Sequence, residues 1–147
     1  MVVREVENLM VAGLSTITNN ENESNPETAK IVKLWQDYDE KNIYGATFNK
    51  SKKFDMYGVY SDYVSDEKGD YKVTVAVEVT KPKNAMVIKD QRYLVFKNSG
   101  EIPEIVIQTW QEILEYFENE AKYERAFTTD FEKYSKENEI EIYISIK

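Results

Sequence analysis

The sequence predicts an α+β fold made of duplicated βαββ units with pseudo-twofold symmetry. Antiparallel sheets, two long helices and a ligand cleft between the halves complete the expectation. Three matches between the halves carry it. Trp35-Gln36 and Trp110-Gln111 each sit in the middle of a helical pattern. Val59-Tyr60-Ser61-Asp62-Tyr63 answers Phe127-Thr128-Thr129-Asp130-Phe131. A valine ladder ending at Glu78 answers an isoleucine ladder ending at Lys147. Three matches in the same order argue for an internal repeat. Sheets of this type carry their helices on one face, and two such units leave a cleft of the kind ligands occupy. The 147 residues fit a single domain, with units expected at 1–82 and 83–147.

The elements follow in order. Val2 to Thr18 mixes apolar and β-branched residues and reads as extended. The polar run from Asn19 to Asn25 reads as a loop. Asn25-Pro26-Glu27 opens a helix: a side-chain cap, a proline suited to the first turn, and an acid at the positive end of the dipole. Ile31, Leu34, Trp35 and Tyr38 keep helical spacing until about Lys41, and a linker runs from Asn42 to Lys53. Met56 to Tyr63 is a strand, and residues 66–70 are a turn in which Gly69 supplies backbone freedom. Tyr71, Val73, Val75, Val77 and Val79 alternate without a break, the strongest strand signal in the chain. In the second half Met86 to Lys97 is extended, and Ser99-Gly100 turns the chain. A helix from Pro103 carries Val106, Trp110, Ile113, Leu114 and Phe117. Arg125 to Phe131 reads as a strand, Lys133 to Asn138 as a turn, and Ile140 to Ile146 as the last strand.

Composition excludes several chemistries. The chain has no cysteine and no histidine, so disulfides, thiol nucleophiles, Cys/His zinc sites and serine–histidine–acid catalysis are ruled out. No metal or other cofactor is expected. The formal net charge is -8 and the basic residues are scattered, which argues against nucleic-acid binding by the chain itself. No stretch approaches the ~20 apolar residues of a membrane span, and the first residues do not form a signal peptide. A cytoplasmic location is expected. Eleven tyrosines among the aromatics exceed what a core of this size calls for, and surplus tyrosine often lines a binding surface.

The residues themselves suggest where a site lies. If the valines of the central ladder pack on the helices, Glu78 points to the other side, beside the small residues Ala76 and Thr74. By the same alternation Glu141 and Tyr143 oppose the isoleucines of the second half. Tyr57 or Tyr60, Phe96 and Trp110 are the candidate aromatic walls. A half-buried carboxylate ringed by aromatics suits a cation, each ring face contributing ~0.5–2 kcal/mol when desolvated. Competing structural roles exist: a solvated strand end for Glu78, a cross-strand ion pair for Glu141, and core packing for Trp35 and Trp110.

Four segments together resemble a known family. They are Val11-Ala12-Gly13-Leu14, Thr109-Trp110-Gln111-Glu112-Ile113 with Tyr116-Phe117, Thr129-Asp130-Phe131-Glu132-Lys133-Tyr134, and Glu141-Ile142-Tyr143-Ile144-Ser145-Ile146-Lys147. In order and spacing they are similar to the effector-binding domain of the gyrase-inhibitory-protein-like superfamily, which is fused to AraC- and MerR-type regulators and occurs alone in bacterial integron cassettes. Ser145 departs from the proline that many members carry. The resemblance implies a duplicated βαββ domain whose cleft takes lipophilic, often cationic, small molecules through a glutamate and surrounding aromatics. It implies a stand-alone binder, a drug sensor or sequestering protein related to transcription regulators, with a protein partner or a homodimer as further partners. Two other functions stay open: hydrolysis of strained electrophilic small molecules, where a carboxylate beside a tyrosine activates water, and a protein-interaction module.

Overall fold

The computed structural model describes residues 1–147 apart from Phe54 and Glu120. Among the described residues the chain forms β1 (Val2–Val6), β2 (Leu9–Thr18), α1 (Asn20–Glu23), α2 (Ile31–Glu40), α3 (Ile43–Ala46), β3 (Met56–Ser61) and β4 (Tyr71–Glu78). The second half supplies β5 (Met86–Ile88), β6 (Gln91–Ser99), α4 (Glu104–Glu118), β7 (Thr129–Tyr134) and β8 (Glu139–Ser145). One antiparallel sheet holds all eight strands in the order β1-β6-β8-β7-β3-β4-β2-β5. That order reads the same from either end once the halves are exchanged, so the duplication expected from the sequence is present. Trp35 on α2 and Trp110 on α4 occupy equivalent elements.

Each half lends its leading strand to the other. β1 pairs with β6, Val2 opposite Val95, and β5 pairs with β2, Leu9 opposite Ile88. The two halves meet at the β3–β7 ladder, where Gly58 lies directly across from Glu132 and Val59 from Phe131.

Alternation sorts the sheet into two faces. On one, α2 packs Leu34 and Tyr38 onto Tyr71, Val73 and Val75 of β4. α4 packs Ile105 and Ile113 onto Leu94, Ile140, Ile142 and Ile144 of β6 and β8. Each such side chain contributes ~1.5–3 kcal/mol when fully buried. Each helix therefore covers its own half and leaves the β3–β7 seam between them. The other face carries no helix, yet its residues are buried. Val11 and Ile88 from one end of the strand order share a cluster with Tyr93 and Val95 from the other. The sheet is thus curled into a half-barrel that closes on its own concave side.

Several element boundaries differ from the sequence reading, each for a non-local reason. The segment Val2–Thr18 breaks at Asn8, which adopts φ 57°, and Met86–Lys97 breaks before Gln91. The two breaks are tied together where the Asn8 backbone N–H donates to Asp90 (3.0 Å). The expected loop Asn19–Asn25 contains the turn α1, and α2 begins at Ile31 rather than after Pro26. Glu23 caps α2, accepting from the backbone N–H groups of Lys30 (2.9 Å) and Ile31 (3.1 Å), while Asn25 closes a turn by accepting from Glu27. The strand expected at Arg125–Phe131 runs instead over Thr129–Tyr134. Phe127 takes φ 52°, and Arg125 makes only an isolated bridge to Ile146. The apparent match of Val59–Tyr63 with Phe127–Phe131 therefore sets the end of β3 against the start of β7.

Candidate functional site

At the seam between α2 and α4 lie the helix-side residues of β3 and β7: Gly58, Tyr60, Asp130, Glu132 and Tyr134. Glu132 is 3 % exposed, and three neutral donors converge on its carboxylate. Trp110 Nε1 (2.7 Å) and Tyr60 Oη (2.9 Å) donate to Oε2, and Tyr134 Oη donates to Oε1 (2.7 Å). The glycine opposite makes the room. A Cβ on Gly58 would lie 2.8 Å from Glu132 Oε1 and 3.6 Å from the Trp35 ring. Trp35 packs edge-on against Tyr134 (5.6 Å), and Tyr60 against Trp110 (5.3 Å).

Burial dominates the electrostatics. It raises the Glu132 carboxyl above its ordinary value, and the three hydrogen bonds offset part of that rise. Burial likewise pushes the Tyr60 phenol well up, with the Glu132 charge second. The nearest strand neighbour on this face, Asp130, is fully engaged. It accepts from Arg125 (2.8 Å), Tyr63 (2.6 Å), and both the backbone N–H (2.7 Å) and hydroxyl (2.9 Å) of Ser145. The Arg125 charge is therefore spent on Asp130, and Glu132 has no ion-pair partner among the described residues.

On the far side of Tyr60 and Trp110 from Glu132, which does not itself line it, opens a cleft of about 430 Å³. Tyr60 and Tyr71 form its floor, Trp110 and Leu114 of α4 one wall, and Ile31 of α2 the other. Glu23, Glu67 and Arg125 stand around it as polar groups. Trp110 and Tyr60 thus face the cleft and bond the carboxylate behind them.

Of the residues expected from the sequence, Tyr60 and Trp110 lie at this cleft. Phe96 lies beneath α4, packed against Tyr116 (5.9 Å). Glu78, Tyr57, Glu141 and Tyr143 lie on the opposite, concave face. There Tyr143 donates to Glu141 (3.0 Å) and accepts from Arg4 (3.3 Å). The valines do pack on the helices, as the alternation argument assumed. The helix-lined cleft, however, is on the valine side of the sheet, not on the side of Glu78. Glu132 was not singled out, although it stands within one of the segments quoted for the family resemblance.

A duplicated α+β half-barrel with an aromatic cleft at the junction of its halves is the architecture of an effector-binding domain. The family model of integron-associated effector binding proteins matches residues 3–146, and the chain belongs to that family. An integron cassette protein from the mobile metagenome of Vibrio cholerae superposes with a TM-score of 0.87 at 31 % identity, covering 99 % of this chain and 95 % of that one. YobU of Bacillus subtilis (strain 168), which carries a transcriptional-regulator name, is 28 % identical over 92 % of this chain and 91 % of its own. The structure of SAV2435 bound to tetraphenylphosphonium has the same fold, with a TM-score of 0.77 at 18 % identity over 99 % of this chain and 93 % of that one.

Proposed function

We propose that this chain binds lipophilic cations, without transforming them, in the cleft between α2 and α4, and that Glu132 is the counter-charge. The observation that carries the reading is a buried carboxylate held by neutral donors alone. An ionised group in such a place is costly, and hydrogen bonds offset only part of the cost. A cation brought to the aromatic wall removes the imbalance, and its apolar surface replaces water against Tyr60, Tyr71 and Trp110. Tetraphenylphosphonium, the ligand of SAV2435, is a molecule of this chemistry. A non-catalytic role fits the same geometry. Three of the roughly four acceptor positions of the carboxylate are taken by protein donors, which leaves little of it to activate a water in the cleft.

The test uses shape-matched ions of opposite charge. Tetraphenylphosphonium should quench the emission of Trp35 and Trp110, the chain's two tryptophans, and bind at least about tenfold more tightly than tetraphenylborate. Equal affinities, or preference for the borate, would refute the counter-charge role.

A further inference from the structure

The concave face, away from this cleft, holds a second cavity of about 250 Å³ at the end of the half-barrel. Tyr57, Phe131 and Tyr143 provide its aromatic side, Val6 and Leu9 its aliphatic side, and Glu78 its carboxylate. Phe131 and Tyr143 stack at 4.4 Å with an interplanar angle of 13°, so the aromatic wall is fixed.

Two polar groups there lack partners. Glu78 Oε1 is buried and accepts no hydrogen bond. Tyr57 is 3 % exposed, and its hydroxyl makes no hydrogen bond among the described residues. Native interiors seldom leave a buried carboxylate oxygen unmatched, as Glu78 Oε1 is here, while the Tyr57 side chain lines the cavity. The two are electrostatically coupled: burial first, and the Glu78 charge second, raise the Tyr57 phenol above its ordinary range. The neighbouring Tyr143 hydroxyl differs, being engaged by Arg4 and Glu141. Around the cavity Glu5 and Glu7 add negative charge, Lys133 lies 3.7 Å from Asp55, and Lys53 is exposed.

We infer that this cavity is a second binding site, for a small alkylammonium group, built by Glu78, Tyr57 and the Phe131–Tyr143 wall. An ammonium donates to the Glu78 carboxylate, whose idle oxygen is reached by a turn of the side chain, and to the Tyr57 hydroxyl. Its alkyl carbons fit against Leu9 and Val6, and its charge against the ring faces. An anion meets the acids instead, and a neutral alcohol leaves the carboxylate charge uncompensated. The volume suits a short chain and excludes a tetraaryl cation, so the site is independent of the Glu132 cleft.

The probe is n-butylammonium, titrated into the 15N-labelled full chain and followed by amide chemical shifts, with n-butanol as the neutral control. Saturable shifts are expected in the millimolar range at Glu5–Leu9, Tyr57, Glu78 and Phe131–Lys133, with none from butanol. Glu78→Gln should weaken binding about tenfold or more, and Tyr57→Phe should weaken it by a smaller factor. Tetraphenylphosphonium affinity should be unchanged in both variants, which separates this site from the cleft. No shifts at those amides, shifts confined to Tyr60, Tyr71 and Trp110, or unaltered affinity in both variants would each overturn the inference.

Discussion

Replacing Glu132 by Gln isolates the charge of the cleft from its shape. The amide oxygen can take the place of Oε2 and keep accepting from Trp110 and Tyr60. The amide nitrogen then faces Tyr134, whose hydroxyl rotates from donor to acceptor, so all three contacts survive. What is lost is the attraction to a desolvated cation. Truncating one partner of such a pair costs ~2–5 kcal/mol, against ~0–1 kcal/mol for an exposed pair. Even the lower bound weakens tetraphenylphosphonium binding roughly thirtyfold. The pH dependence should vanish as well. Burial raises the Glu132 carboxyl, and the cation needs it ionised. Wild-type affinity therefore falls as pH drops through that raised value, while the Gln variant stays flat. Stability moves the other way. A carboxyl raised on folding contributes stability that is complete below its unfolded value and lost as pH rises through the folded value. The Gln variant, a mimic of the protonated form, should gain stability relative to wild type at neutral pH and lose that advantage in acid. Tryptophan-quenching titrations across pH, with urea denaturation at acidic and neutral pH, measure both. Equal affinities and parallel pH profiles in the two proteins would refute the assignment.

Four further outcomes are expected. Gly58→Ala sets a methyl 2.8 Å from Glu132 Oε1, so overpacking of ~1–3 kcal/mol should exceed the ~0.4–1 kcal/mol normally gained from Gly→Ala; a more stable variant in urea denaturation contradicts this. Arg125→Met strands the Asp130 charge and should cost ~3–5 kcal/mol, much of it recovered when Asp130→Asn is added; a strictly additive pair in denaturation would deny the coupling. With a net charge of -8, the chain alone should give no gel shift with duplex DNA at physiological salt, and a salt-dependent shift at micromolar protein would contradict that. Ordinary esters and amides should not be turned over in a chromogenic assay. Rapid turnover of a strained electrophile, abolished by Glu132→Gln, would favour the hydrolase alternative.

The parts of the fold legible in the sequence are those fixed by local periodicity. The valine ladder of β4, the isoleucine ladder of β8 and the apolar stripes of α2 and α4 all appear where alternation or helical spacing put them. The parts that were not legible depend on distant partners. Nothing near Asn8 announces that β1 leaves its own half to pair with β6. The start of β7 is set by the Asp130 contacts with Arg125, Tyr63 and Ser145, which span up to 67 residues of sequence. That shift changes how Glu132 reads. With the strand ending at Phe131, Glu132 falls at the edge of a turn and looks solvated. With it running to Tyr134, Glu132 is an interior residue on the helix face. The sequence did contain a clue: Asp130, Glu132 and Tyr134 share one side of an alternating run, opposite Phe131. Tyr60 and Trp110, the aromatic walls expected for Glu78, lie on the other face of the sheet and donate to Glu132.

The pairing of Gly58 with Glu132 has a consequence for how such a pocket can exist at all. Every cross-strand pair in an antiparallel ladder lies on a local twofold axis. The axis through this pair exchanges Gly58 with Glu132 and also Tyr60 with Tyr134, which lie two residues further along their strands. The tyrosines obey the exchange, and both donate to the one carboxylate. The axial residues break it. In a dimer of identical halves, whatever sits on the axis must face its own copy. Two glutamates there would compete for ionisation inside one buried space, and two glycines would hold no charge. A single buried anion on the axis is open only to halves that differ in sequence, which fusion into one polypeptide allows. Duplication followed by divergence at this pair lets a symmetric seam hold a single buried carboxylate.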